Sequence, residues 1–230
     1  MDQNAFFILF FDVHAVKNDF RLKKGELRMK KILVTGFEPF GGDLRNPSGE
    51  AVSALAAAEH CEMKKLILPV SWTRAFPEIE KAWNEWQPDA LLMVGLAGGT
   101  SALRVERIGI NLCGAIKDID GLYANGFSDR AEERPVIEGE REAFFATYPA
   151  ERILNALQKA EIPAKYSFSA GTYICNELLY SALAKRNRES REMSIGFIHL
   201  PYADGQKEGV PSMPLSRMVT ALEIALSELI

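Results

Sequence analysis

Cysteine is scarce in this chain, which carries three thiols in 230 residues. They are Cys61, Cys113 and Cys175, an odd number without the close spacing of metal ligands. This usage argues against a disulfide framework and predicts a reducing, cytoplasmic compartment. We therefore expect any conspicuous cysteine to act through its own chemistry or to pack as a small apolar side chain.

An excess of positive charge is also missing, since 27 Lys and Arg stand against 31 Asp and Glu, for a net charge of −4. Nucleic-acid-binding surfaces usually show a clustered basic excess, so we expect no nucleic-acid partner. The apolar run at residues 6–11 is too short to cross a bilayer. It also lacks the basic region and small-residue cleavage site of a signal peptide, and we expect no membrane association.

The remaining composition, 47% hydrophobic and 25% charged, predicts one substantial α/β domain. Strand-like and helix-like segments alternate, which favours a three-layer α/β/α sandwich around a mostly parallel or mixed twisted sheet. The predicted strands are residues 31–35, 64–69, 90–95, 103–111, 165–169 and 195–200. The predicted helices are residues 48–58, 76–86, 149–160, 173–185 and 215–229.

Two further segments have distinct patterns. In the last predicted helix an apolar stripe recurs at helical spacing, and core packing is its simplest explanation. Its members are Leu215, Met218, Leu222, Leu226 and Leu229. Residues 113–145 are rich in charge and glycine and show no sustained periodicity. We expect them to form a long excursion that borders a functional site or another subunit.

Cys175 is the most informative residue, because it closes the run SFSAGTYICN at residues 167–176. A short strand is predicted to turn at Gly171 into a helix, which places the thiol at a helix N-terminus. The partial positive charge there favours the thiolate, and free backbone N–H groups can hold an oxyanion. Taken alone, Cys175 is equally compatible with a buried structural cysteine.

His199 and Glu106 complete a possible cysteine-type acyl-transfer site. His199 ends the strand-like SIGFIHL at residues 194–200, and Glu106 lies within LRVERIGIN at residues 103–111. A histidine at the end of an apolar strand is more often a core residue, and Glu106 has arginine neighbours, Arg104 and Arg107, with which to pair. The sequence pattern alone leaves these alternatives open.

Four motifs in order resemble pyroglutamyl peptidase I, a family also called pyrrolidone carboxyl peptidase. They are KILVTGFEPFGG at residues 31–42, the segment from Glu106 to Asn111, SAGTYICN at residues 169–176 and GFIHLPY at residues 196–202. The resemblance implies a cytosolic cysteine peptidase that removes N-terminal pyroglutamate from small peptides. It places Glu106, Cys175 and His199 on the catalytic positions, needs no metal or cofactor, and implies a homo-oligomer, often a tetramer.

The resemblance also implies a pocket for the substrate lactam. Pyroglutamate is flat and carries no charge on its cyclised amine, so aromatic faces suit it better than a carboxylate does. Phe37 and Phe40 are the predicted pocket residues, with Gly41 and Gly42 permitting a tight loop after the first strand. Asn46 is predicted at the same site, where it either contacts substrate or holds the loop.

Two alternatives remain open. The glycine loop suggests a phosphorylase-like enzyme of similar fold, although its spacing fits neither common phosphate-binding fingerprint. Thr100 and Ile116 stand where the family often has arginine, and a non-catalytic member that binds the lactam without cleaving it is the second alternative. The intact Glu106, Cys175 and His199 argue against that second alternative.

The first 28 residues do not resemble the family. The usual family start resembles the segment beginning at Met29, so we hypothesise that residues 1–28 are an upstream extension and that residues 29–230 are a single catalytic domain. The competing hypothesis is a genuine appendage that packs on the body or on another subunit.

Overall fold

The computed structural model describes residues 29–56 and 61–230. The hypothesis about residues 1–28 lies outside this part of the chain. The strands are β1 (Lys30–Phe37), β2 (Cys61–Leu68), β3 (Ala90–Leu96), β4 (Leu103–Glu106), β5 (Ile108–Ile110), β6 (Ala143–Phe145), β7 (Ala164–Ser167), β8 (Ser194–Leu200), β9 (Tyr202–Ala203) and β10 (Ser212–Met213). The helices are α1 (Pro47–Ala54), α2 (Ala75–Trp86), α3 (Ala150–Lys159), α4 (Ile174–Arg188) and α5 (Leu215–Ser227).

Six strands form a mixed sheet in the order β2-β1-β3-β8-β4-β7. The first four run parallel, whereas β4 is antiparallel to β8 and parallel to β7. The predicted sheet type is confirmed. Two short ribbons, β5 with β6 and β9 with β10, extend from the sheet.

Helices cover both faces of the sheet, so alternate residues of its central strands are buried on opposite sides. Ile32 of β1 packs in the cluster that contains residues of α1, α3 and α5. Leu33, its neighbour, packs in the cluster that contains residues of α2 and α4. This arrangement is the predicted three-layer α/β/α sandwich. The α5 stripe lies in the first cluster, as predicted.

Most predicted boundaries lie within three residues of those in the structure, and two differences are larger. The predicted strand at residues 103–111 is divided at Arg107. Before that residue β4 pairs within the main sheet, and after it β5 pairs with β6 instead. Helix α1 ends at Ala54, because Leu55 has an extended conformation, with φ −53° and ψ 135°. The Lys65 ammonium donates to the carbonyl oxygens of Ser53 and Leu55 at 3.0 and 2.6 Å, which satisfies two groups at that helix end.

The long excursion is mostly irregular and does reach the start of α4. The Gly114 amide donates to the Thr172 carbonyl at 2.7 Å, and the Tyr173 hydroxyl donates to the Lys117 carbonyl at 3.0 Å. The Tyr173 ring also packs edge-on against Trp72, with 5.2 Å between ring centroids. The excursion therefore supports the turn that leads into α4.

Within residues 29–56 and 61–230, no helix has both the length and the apolar character needed to cross a bilayer. The same residues contain no group of three or more His, Cys, Asp or Glu side chains arranged to hold a metal ion.

Candidate active site

A cleft of about 410 Å³ opens where β1, β3 and β8 end and α4 begins. Residues from distant parts of the chain share its walls, and these include all but one of the predicted site residues. The lining residues are Phe37, Phe40, Asn46, Val70, Leu96, Ala97, Arg104, Ser169, Ala170, Gly171, Tyr173, Ile174, Cys175 and His199. Glu106 is the exception, because it is fully buried behind His199.

Cys175 lies in the first turn of α4, as the sequence predicts. Gly171 has a φ of 81°, a conformation that favours glycine, and allows the chain to turn from β7 toward the helix. The Glu177 amide donates to the Tyr173 carbonyl at 3.1 Å. The amides that precede Glu177 are the ones an α-helix leaves without intrahelical acceptors. They flank the thiol and give the helix start its capacity to bind an anion.

Gly95 of β3 makes room for this thiol. A methyl group on Gly95 would lie 3.0 Å from the Cys175 sulfur and 2.8 Å from the Phe197 ring, distances at which the neighbouring atoms must move. Gly95 is also the parallel register partner of His199 on β8. The thiol therefore sits against the backbone of β3 beside the imidazole.

The His199 ring is oriented by Glu106. Its Nδ1 lies 2.8 Å from the Glu106 Oε1, and both side chains are buried. The remaining ring nitrogen, Nε2, is the one available to the Cys175 thiol, which lines the same cleft as His199. Burial lowers the pKa of His199, but Cys175 and Glu106 together raise it to about 9. This direction favours an imidazolium at neutral pH.

Tyr148 supports the strands that carry this pair. Its buried hydroxyl is 2.9 Å from the Glu106 carbonyl and 3.0 Å from the Phe197 carbonyl, so it is shared between β4 and β8. Its ring occupies the space over Gly196, where a methyl group would lie 2.1 Å from a ring carbon. One side chain thereby bridges the two strands behind the site.

The arginine neighbours of Glu106 have other partners. Arg107 lies over the Tyr166 ring, 5.0 Å from its centroid, and Arg104 donates to the Gly98 carbonyl at 3.2 Å. Neither forms an ion pair with Glu106 in the described part of the chain. The alternative of an arginine–glutamate pair does not fit this geometry.

Phe37, Phe40 and Asn46 meet at the other end of the cleft. Phe37 is buried, whereas Phe40 is partly exposed. Gly41 and Gly42 turn the loop with φ values of 64° and 83°. The Asn46 side chain caps α1 through the Ser48 amide at 3.1 Å and donates to the Glu38 carbonyl at 2.9 Å. Asn46 thus holds the loop while also lining the cleft.

The other two thiols lie outside the cleft. Burial raises the pKa of Cys113 to about 12, with the nearby Glu177 carboxyl acting in the same direction. Burial also raises the pKa of Cys61. Both shifts disfavour the reactive thiolate, so neither thiol resembles Cys175 in its surroundings.

Part of the cleft wall lies outside the motifs found in the sequence. Val70, Leu96 and Ala97 are apolar or small residues with no motif of their own, and only their place at or just after strand ends could have indicated them. The sequence indicates Arg104 only as a possible ion-pair partner of Glu106, not as part of the cleft. Thr100 accepts from the Ala102 amide at 3.1 Å and Ile116 is 47% exposed, and neither lines the cleft.

Fold and site together define the class: an α/β sandwich with a thiol, an imidazole and a buried carboxylate at a cleft of mixed polar and apolar lining. The pyroglutamyl peptidase family model matches residues 30–230. The chain belongs to the pyroglutamyl peptidase family.

Individual relatives agree with this assignment. The pyrrolidone-carboxylate peptidase of Thermococcus kodakarensis is 38% identical over 199 residues, covering 85% of this chain and 94% of the relative. That of Lactobacillus johnsonii is 38% identical over 205 residues, covering 87% and 92%. The crystal structure of pyroglutamyl peptidase I from Bacillus amyloliquefaciens superposes with a TM-score of 0.79 at 35% identity, covering 87% of this chain and 94% of that one.

These matches confirm the predicted family, the predicted fold class and the assignment to cysteine peptidases of the pyroglutamyl-peptidase I type. They favour that assignment over the phosphorylase-like and non-catalytic alternatives.

Proposed function

We propose that this enzyme hydrolyses the amide bond after an N-terminal pyroglutamyl residue of small peptides, with Cys175 as nucleophile, His199 as acid and base, and Glu106 as the group that orients His199. The observation that carries the proposal is the meeting of Cys175 and His199 in one cleft with Phe37 and Phe40. The cleft joins a nucleophile to an apolar pocket of the kind that suits an uncharged lactam.

Acylation begins when the Cys175 thiolate attacks the carbonyl carbon of pyroglutamate. The negative charge that develops on the carbonyl oxygen is stabilised by the backbone N–H groups of the first turn of α4. The imidazolium of His199 gives its Nε2 proton to the leaving nitrogen as the carbon–nitrogen bond breaks. Pyroglutamate remains as a thioester on Cys175, and the shortened peptide leaves with a free amine.

Deacylation uses the same groups in reverse. The now neutral His199 removes a proton from water, which attacks the thioester carbon. The carbon–sulfur bond breaks, Cys175 regains its thiolate, and free pyroglutamate departs. Throughout, Glu106 accepts the hydrogen bond from Nδ1, so the imidazole keeps one orientation and its cationic form is stabilised.

The first test is release of a chromogenic amine from a pyroglutamyl amide beside a prolyl amide, under reducing conditions, by wild type and Cys175→Ser. We expect wild type to release the amine from the pyroglutamyl substrate only. The prolyl ring has the same size but a charged nitrogen, so it controls for lactam recognition. The variant should lose at least ~10³-fold in turnover, because serine is a poor nucleophile without a stronger base.

Three results would contradict the proposal. Cleavage of both amides would reject lactam recognition, and full activity in Cys175→Ser would reject the nucleophile. If wild type cleaves neither amide but binds pyroglutamate, the chain would be the non-catalytic lactam-binding protein considered above. Equal thermal unfolding of the two proteins would show that loss of activity is not loss of fold.

We further propose that the chain assembles into a homo-oligomer. The family resemblance implies a tetramer. Phe145 and Phe168 are 67% and 68% exposed and flank Arg107, whose backbone bonds to Ser167 and Ala146. Large exposed apolar side chains favour burial against another copy. Light scattering should give a multimer that Phe168→Glu weakens; a monomeric wild type would contradict this.

We also propose a cytoplasmic location, since the mechanism needs a reduced Cys175 and such a compartment keeps thiols reduced. Fractionation of native cells tests it, and recovery outside the cytoplasm would contradict it.

A further inference from the structure

Among the described residues that line the cleft, Arg104 and His199 are the two that can carry a positive charge. On β4, Leu103 and Val105 pack into the core cluster of the α1, α3 and α5 face. Side chains alternate along a strand, so Arg104 and Glu106 face the opposite side, where Arg104 lines the cleft and Glu106 is buried behind His199. Arg104 is also the antiparallel register partner of His199.

The guanidinium is only partly satisfied. Nη2 donates to the Gly98 carbonyl at 3.2 Å, while Nε is buried with no hydrogen-bond partner in the described part of the chain. The ion pairs found there do not include Arg104. A guanidinium has five N–H donors in a planar fork that matches a carboxylate. A buried donor left without a partner is costly, which makes a ligand of negative charge the expected occupant.

The sheet order says which part of a substrate reaches Arg104. Phe37 ends β1, Gly95 lies near the end of β3, His199 lies on β8 and Arg104 on β4, and these strands are consecutive neighbours. Three inter-strand spacings separate the lactam end from Arg104, about 14 Å. The imidazole lies between them. Because His199 protonates the leaving amine, the peptide beyond that amine extends toward β4.

We propose that Arg104 binds a carboxylate carried by the residue that follows pyroglutamate, and so sets a preference for pyroglutamyl peptides with negative charge on the leaving side. The inference rests on the proposed function. Two groups of a substrate can supply this carboxylate: the C-terminus of a pyroglutamyl dipeptide, or the side chain of an Asp or Glu that follows pyroglutamate. No other residue assigned to the reaction so far recognises the leaving group.

The test measures kcat/KM for two substrate pairs that differ by one charge. Pyroglutamyl-alanine is compared with its C-terminal amide, and pyroglutamyl-aspartic amide with pyroglutamyl-asparagine amide. We expect wild type to prefer the charged member of at least one pair by about tenfold or more, the range of a charge-assisted hydrogen bond. The first pair reports a terminal carboxylate and the second a side-chain carboxylate.

Arg104→Gln should abolish that preference, and Arg104→Lys should retain part of it because the charge remains. Arg107→Gln is the matched control: the same residue type three positions on, stacked over Tyr166 and outside the cleft. It should keep the wild-type preference. Raising salt to about 0.5 M should weaken the preference in wild type, since exposed parts of the charge pair are screened.

The inference is overturned if wild type shows no preference in either pair, if Arg104→Gln keeps it, or if Arg104→Gln lowers kcat/KM for charged and neutral substrates by the same factor. Cleavage of the neutral amides by wild type is the separate check on the proposed function. If those are cleaved and the preference is absent, the reaction stands and only the role of Arg104 fails.

Discussion

His199 on β8 and Glu106 on β4 meet through a 2.8 Å contact between Nδ1 and Oε1, although 93 residues separate them in the chain. The contact crosses the only antiparallel boundary of the six-stranded sheet, where β8 and β4 run in opposite directions. That boundary places the carboxylate diagonally across from the imidazole rather than at the far end of its strand. The reversal of β4 is thus what brings the acid to the base.

The first prediction concerns the alkaline limb of activity. The pKa of His199 is raised to about 9 from 6.5, so its proton is held below that value and lost as the pH rises through it. Because the leaving amine needs that proton, kcat/KM should fall above about pH 9. Glu106→Gln removes one of the groups that raise this pKa and should move the limb to lower pH. A pH–rate profile of both proteins measures the shift.

The limb reports the thiol and imidazole as a pair rather than either group alone. The informative quantity is therefore its displacement in Glu106→Gln relative to wild type. An identical limb in the two proteins would mean that Glu106 does not stabilise the imidazolium, and its role would then be limited to packing.

Much of this site followed from the sequence because its parts are local. The turn at Gly171, the helix start at Cys175 and the tight loop at Gly41 each depend on residues within a few positions, and glycine marks each turn. The buried strands were equally predictable, since apolar runs such as that of β3 report burial on both faces.

The parts that the sequence did not reveal depend on pairing between distant segments. The pattern of residues 103–111 does not indicate that β4 pairs with β8 and that β5 pairs with β6. For the same reason Arg104 could not be placed opposite His199, nor Tyr148 beneath both strands. Long-range register is set by tertiary packing, which local periodicity does not encode.

The second prediction concerns the lactam pocket. Phe40 is partly exposed in the cleft, so Phe40→Ala should remove aromatic surface from the substrate with little loss of core packing. KM for pyroglutamyl amides should rise about tenfold, with a smaller change in kcat. Phe127→Ala, an exposed phenylalanine outside the cleft, is the control. An unchanged KM in Phe40→Ala would remove this residue from the pocket.

The third prediction concerns the position of the Cys175 sulfur. Gly95→Ala places a methyl group 3.0 Å from the Cys175 sulfur and 2.8 Å from the Phe197 ring, so one of them must shift. A displacement of about 1 Å at a reacting atom costs on the order of 10²-fold in rate. We expect kcat to fall by that order while circular dichroism stays native. Thiol alkylation at Cys175 should slow in parallel; wild-type kcat would show that the sulfur does not depend on Gly95 for its position.

The last prediction concerns Glu177, one position beyond Asn176 in α4. Its Oε2 is buried without a hydrogen-bond partner in the described residues, and its Oε1 accepts from the Ser181 hydroxyl at 3.2 Å. Burial raises the pKa of Glu177 to about 8, against the smaller opposing effect of that hydrogen bond. The folded protein therefore holds a proton that the unfolded chain releases near pH 4.5.

The sign follows from this difference. Between about pH 4.5 and pH 8 the unfolded state binds fewer protons than the folded state, so the contribution of Glu177 to stability declines as the pH rises. Glu177→Gln cannot ionise and should escape that decline. We expect its stability advantage over wild type to grow from pH 5 to pH 8, to on the order of 3 kcal/mol. Urea unfolding at the two pH values measures it, with the exposed Glu151→Gln as control; a constant difference would mean that Glu177 is not held protonated in the folded protein.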